Sequence, residues 1–198
     1  PKCSAGSFAK KVAGALPAEL EPALAPVLEV IAGLTQKIKE YDKRLERMAD
    51  ERYPESMLLR QVRGVGVLTA LAYLLVIGDS SRFQKSRTVG AYLGLTPGLD
   101  ESGDSRRVLR ISKEGDRFLR SLLVQCAHYI LGPFGEDCDL RRHGENIMKG
   151  GGRSPKKRAA VAVARKLAVL LHRLWRNGEV YDPFHNTNRR ERRLRRSA

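Results

Sequence analysis

The sequence has no paired cysteines, no long apolar run and a shortage of acidic residues, and each lack excludes something. Its three cysteines, Cys3, Cys126 and Cys138, form no Cys-x-x-Cys pair and suggest no disulfide framework. Cys126 and His128 stand two apart on an expected helix, so they point to different faces; with Cys138 and His143 they match no zinc spacing. No metal or other cofactor is therefore expected within the chain. Nothing approaches the ~20 apolar residues of a membrane span, and the first residues lack the apolar centre of a secretory signal. An intracellular protein without membrane contact is the expectation. The chain opens on Pro1 rather than methionine, which suggests a segment of something longer.

The shortage of acid is uneven. The 198 residues carry 37 Lys and Arg against 22 Asp and Glu, a formal charge of +15. Residues 1–100 hold 14 basic and 11 acidic side chains, whereas residues 101–198 hold 23 and 11. Solubility alone explains a net charge but not this asymmetry. A basic half of that size points to nucleic acid, because neutralising phosphates releases condensed counterions. Within it, residues 186–198 contain six arginines, one glutamate and no apolar period. Residues 185–198 are read as a basic tail, disordered until it meets nucleic acid, with Arg189, Arg190, Arg192 and Arg193 as contacts.

The apolar pattern sets the architecture. Residues 1–18 are small, basic and weakly patterned, a flexible or partly helical lead-in. From Leu20, apolar residues alternate four and three apart through Leu24, Val27, Ile31, Leu34, Ile38, Tyr41, Leu45 and Met48. That is a heptad seam over residues 19–54, with Leu24, Ile31, Leu34, Ile38 and Leu45 as dimerisation positions. Pairing with a second copy and folding back onto the chain's own domain are both open; the unbroken length favours the former. Pro26 fits a first turn, so the regular helix is expected to begin there.

Residues 55–184 read as a compact helical domain. Helices are predicted over 55–63, 67–77, a short one up to 93, 113–131 and 155–177. Ser86 caps the short helix, Gly132-Pro133 closes the fourth, and Ser154-Pro155 opens the last. Thr96–Ile111 is a loop or short hairpin, and residues 144–153 are a connector. Trp175 and Tyr181 pack at the end of the last helix. The fold class is all-α: a long coiled-coil helix plus a compact domain containing a helix-hairpin-helix.

Two motifs carry chemistry. Gly64-Val65-Gly66, between two expected helices, fits a helix-hairpin-helix turn, whose glycines let backbone amides at the next helix start face a phosphate. A tight structural connection uses similar glycines. The segment Glu101-Ser102-Gly103-Asp104-Ser105-Arg106-Arg107 sets a serine among guanidinium groups. A serine attacks phosphorus only when its proton is removed and the phosphoryl charge is stabilised. Arg106, Arg107 and Arg110 are the phosphate-binding candidates. The plainer reading is a turn residue. Lys113, Arg117 and Arg120 fall at helical spacing beside this loop, either a phosphate-binding ridge or a solvated face.

The block from residue 58 to 181 resembles the DEDD-type insertion-sequence transposases, also called bridge recombinases. The resemblance rests on RGVGVLTALAYLLVIGDSSRF, AYLGLTP, ESGDSRR, RISKEGDRFLRSLLVQCA and KLAVLLHRLWRNGEVY, in that order. It implies a DNA recombinase guided by a structured bridge RNA, oligomeric through its coiled coil and working on the nucleoid in a prokaryotic cytoplasm. It also implies a covalent serine link to a DNA 5′-phosphate, with Ser102 as the matching serine and Ser105 and Ser112 as fallbacks. The magnesium of such enzymes sits in a resolvase-like acidic domain; that domain is absent from these residues, so the chain alone is not expected to recombine DNA. The usual Ser-Gly-Gly reads Ser-Gly-Asp here, which sets Asp104 beside the expected phosphate. The rival reading is a non-catalytic, dimerising helix-hairpin-helix scaffold that binds DNA.

Overall fold

A computed structural model describes the backbone of residues 3–102 and 105–189, and their side chains apart from those of residues 99–108. It is mostly helical, with one two-stranded sheet among the described residues. The chain divides into two compact units, Pro1–Arg52 and Tyr53–Ala198.

The first unit holds α1 (Ala5–Ala13) and α2 (Glu21–Arg52). The α2 helix begins five residues before Pro26, earlier than its sequence suggested. Pro22 takes a first-turn position, where a missing N–H costs nothing, and Pro26 forgoes only a bond to the Pro22 carbonyl. Helix α1 packs on α2, with Gly6 against the Thr35 methyl group. Ile31 and Leu45 are half-buried, whereas Leu34 and Ile38 remain 59% and 61% exposed.

The second unit is built around α8 (Pro155–Asn177). Its buried stripe of Ala159, Val163, Ala164, Leu167, Ala168, Leu171 and Leu174 follows helical spacing. The stripe is rich in alanine, so neighbouring helices come close. Helices α3 (Ser56–Arg60), α5 (Arg87–Tyr92), α6 (Arg117–Leu131) and α7 (Asp139–Lys149) all pack on α8, while α4 (Val67–Ile77) packs on α3 and α6. Tyr73 of α4 is fully buried and donates its hydroxyl to the Ala168 carbonyl at 2.6 Å. That bond satisfies the one polar atom a buried tyrosine brings to the core.

Four sequence expectations shift. The helix expected over 55–63 is only the five residues of α3. Residues 144–149, read as connector, are the second half of α7, because Gly144 lets α7 approach Leu131 and Val163; an added Cβ would stand 2.5 Å from the Leu131 methyl group. Ser86 precedes α5 but makes no cap bond; its hydroxyl is turned to His172 instead. Finally, α6 starts at Arg117 rather than Lys113, with Asp116 as its cap accepting from the Leu119 amide at 2.6 Å.

Candidate nucleic-acid interface

Ser102 lies at the end of strand β1 (Pro97–Ser102), which pairs antiparallel with β2 (Ser105–Ile111). The register runs from Pro97 opposite Ile111 to Ser102 opposite Ser105, so both serines flank the hairpin's tip. The strand carries Ser102 about 17 Å from Pro97 at ~3.3 Å per residue. The side chains of Ser102, Arg106 and Arg107 lie outside the described residues.

The base of the hairpin is fixed by backbone packed on backbone. Gly94 (φ +64°) enters it and Gly115 (φ +76°) leaves it. A Cβ on Gly94 would meet the Glu114 carbonyl at 2.2 Å, and one on Gly115 would meet the Tyr92 carbonyl at 2.1 Å. Only glycine fits either position. Amide bonds from Ser112 to Thr96 (3.0 Å) and from Lys113 to Gly94 (3.1 Å) tie the two legs. Arg120 completes the clamp, donating to the Leu93 carbonyl before β1 and to the Glu114 carbonyl after β2, at 3.1 and 2.7 Å. Its guanidinium is thus spent on holding the hairpin. Lys113 (φ +60°) stands outside α6, so Lys113, Arg117 and Arg120 do not form one helical ridge.

At the glycine turn, Gly64 takes φ +96° and lies under the Tyr129 ring, where a Cβ would sit 2.7 Å from Cδ1. Val65 is a core residue, 6% exposed, so its side chain faces no ligand. Gly66, by contrast, caps α4 with open space above it and no side chain bonded to the first-turn amides. Arg63, next to the turn, pairs with Glu136.

A groove of about 1640 Å³ lies along α8. Helix α8 contributes Lys157, Arg158, Arg165, Lys166 and Arg173; the base of the hairpin adds Arg110 and Lys113. Arg87 of α5 and Arg153 bring the basic side chains to nine, against two carboxylates, Asp139 and Asp182. Both carboxylates are engaged. Asp139 accepts from the Asn186 amide and the Thr187 hydroxyl, each at 2.6 Å, and Asp182 accepts from the Phe184 amide at 2.9 Å. These bonds hold residues 185–189, which are helical although the basic tail was read from 185 onward. Arg189 is exposed there; Arg190, Arg192 and Arg193 lie outside the described residues. Burial and the nearby Lys166 charge hold the His143 imidazole below its usual range, so this groove residue is neutral at pH 7.

Sequence reasoning singled out Arg110 and Lys113, and the fold brings them to the groove. It missed Arg87, Lys157, Arg165 and Lys166, which come from distant segments. For Lys157, Arg165 and Lys166 the one sequence signal is the basic surplus of the second half, and Arg87 lies outside even that. Among the described residues no three His, Cys, Asp or Glu side chains converge as metal ligands. No described helix is long and apolar enough to cross a membrane.

Residues 56–134 match the family described as Transposase IS116/IS110/IS902 family. The chain is 30% identical over 174 residues to a probable family 20 transposase of Pseudomonas aeruginosa, covering 83% of this chain and 50% of that protein. It is 31% identical over 146 residues to the transposase for insertion sequence element IS1111A of Coxiella burnetii, covering 74% and 39%. A pilin gene-inverting protein of Moraxella lacunata is 30% identical over 126 residues, covering 63% and 38%. The chain therefore spans half or less of the length of these relatives.

Proposed function

We propose that this chain is part of a DNA transposase or site-specific recombinase, and that Ser102 is its nucleophile. The observation that carries the reading is the hairpin. Within the segment matched to the transposase family, it sets Ser102 at a strand end while its base is clamped by Gly94, Gly115 and Arg120. An arm whose root is fixed lowers the ordering cost of bringing its nucleophile into line with phosphorus.

In this mechanism the Ser102 hydroxyl gives up its proton and its oxygen bonds to a DNA phosphorus. The 3′-oxygen of the adjoining nucleotide leaves, taking a proton, and the 5′-phosphate stays on the serine. Arg106, Arg107 and Arg110 neutralise the charge that grows on the phosphoryl oxygens. The free 3′-hydroxyl of a second DNA end then attacks the phosphoserine and restores the hydroxyl, so the bond count is unchanged. The open amides at Gly66 hold a flanking phosphate, and the basic tail holds more of the backbone. A bridge-type guide RNA selects the DNA partners, and α2 pairs with a second copy through its exposed seam.

Incubating the enzyme that carries this chain with guide RNA, magnesium and a nicked target duplex yields a protein–DNA adduct that resists denaturant. Ser102→Ala removes it. An adduct that survives Ser102→Ala moves the nucleophile to another residue, such as Ser105 or Ser112. No adduct under any condition favours the non-catalytic scaffold, which the exposed seam of α2 and the basic groove would equally serve.

A further inference from the structure

We infer that the groove along α8 is a cradle for one sugar–phosphate strand of double-helical DNA, gripped without reading its bases. The assignment of the groove rests on its own geometry; the choice of DNA rests on the recombinase reading above.

Charge complementarity comes first. The nine basic side chains that line the groove face two carboxylates, both already bonded to the turn after α8. Among the described residues, Arg87, Lys157, Arg165 and Lys166 make no ion pair. Their charge is therefore available to a ligand. A local surplus of this density repels itself, which is a standing cost unless a polyanion offsets it.

Dimensions agree with the charge. From Lys157 to Arg173 the helix rises about 24 Å at ~1.5 Å per residue. One DNA strand sets a phosphate every ~3.4 Å of axis but winds around that axis, so a straight groove of this length faces some of the roughly seven phosphates it passes. The floor between the basic walls is apolar, including Leu95, Leu109, Leu140 and Val161. An apolar floor lowers the local dielectric and strengthens each ion pair above it.

The lining also says what the groove does not do. Tyr181 is its one Phe, Tyr or Trp among the described residues. Single strands are held by rows of stacking aromatics, which are lacking here. Both carboxylates are already bonded to the turn after α8, and the other charged groups are cations, which suit phosphate oxygens. What remains is a backbone grip on a strand whose bases stay paired.

The position adds a purpose. Arg110 and Lys113 belong to the base of the hairpin that carries Ser102 and also to the wall of the groove. DNA lying in the cradle passes the root of the catalytic arm, so the groove sets the register of the attacked strand.

The test is binding measured by fluorescence anisotropy over a range of salt, on the chain and two triple variants. One carries Lys157→Gln, Arg165→Gln and Lys166→Gln in the groove. The other carries Lys10→Gln, Lys11→Gln and Lys43→Gln on α1 and α2, with the same loss of charge. The groove variant loses duplex DNA affinity about ten-fold or more, and the slope of log K against log salt falls by about 2–3, near 0.9 per phosphate contact. The α1–α2 variant stays within about two-fold. Equal losses in both mean diffuse attraction and overturn the cradle; so does a groove variant that binds normally. If the groove variant melts early, Arg87→Gln with Lys113→Gln on the opposite wall makes the same measurement. Single-stranded DNA or duplex RNA that depends on the groove more than duplex DNA does overturns the occupant. A groove variant that binds normally yet still forms the Ser102 adduct sinks this inference and leaves the recombinase reading standing.

Discussion

At the scale of single residues, conformation and burial explain what composition leaves open. Gly94 is the clearest case. Its left-handed backbone and the Glu114 carbonyl 2.2 Å from a would-be Cβ leave no room for any other side chain. Gly94→Ala is expected to lower unfolding free energy by about 3 kcal/mol, from strain and overpacking together. Urea denaturation checks it, and an unchanged midpoint would refute the clamp. His172 is a second case, fully buried in α8. Its Nε2–H donates to the Ser80 carbonyl and its Nδ1 accepts from the Ser86 hydroxyl, both at 2.9 Å. That arrangement fixes the neutral tautomer. Burial, then the Arg176 charge, hold the imidazole below its ordinary value of 6.5 despite the Ser80 bond. The unfolded chain therefore takes up this proton first, and the contribution of His172 is complete above about pH 6.5 and declines as pH falls below it. Thermal melts from pH 7.5 to 5 should show a drop in midpoint that shrinks in His172→Asn. An equal drop in both proteins would assign the effect elsewhere.

At the scale of elements, the spans bounded by proline and glycine were legible in the sequence. Helix α4 runs Val67–Ile77 and α8 runs Pro155–Asn177, as Gly66, Gly78, Pro155 and Gly178 signal. The segment read as loop or short hairpin is a hairpin. Helix α7, for which no helix was predicted, was illegible because its stability is remote: Gly144 docks on Leu131 and Val163, and nothing local announces that. Lys113 was misplaced for a related reason, since the turn through Lys113 and Gly115 is dictated by Tyr92 and Gly94 across the hairpin base. The seam of α2 was legible, and its partner is where an element-scale prediction belongs. Ile38 is 61% exposed and Leu34 59%. A second copy laid on that face makes Ile31→Asp with Ile38→Asp convert an oligomer to monomer in sedimentation analysis. A parent chain that sediments as a monomer would contradict the pairing.

At the scale of the molecule, the serine candidate and its arginines are a reading of one contiguous segment, ESGDSRR, whose side chains lie outside the described residues. The groove was not legible in the sequence. Its walls come from residues 87 to 186, and only the packing of α5 and α7 on α8, with the hairpin base lining the same groove, brings those charges together. Sequence asymmetry points to nucleic acid as the partner class; the fold tells which basic residues share a surface. Arg120 donates to two backbone carbonyls, while Arg165 and Lys166 line the groove. The central claim joins these parts: a clamped arm delivers Ser102 to a DNA phosphate. The most direct measurement is mass-spectrometric mapping of the covalent protein–DNA adduct after nuclease digestion. The account predicts a nucleotide 5′-phosphate on the peptide containing Ser102, lost in Ser102→Ala. A nucleotide mapped to any other residue, with Ser102 unmodified, would contradict it.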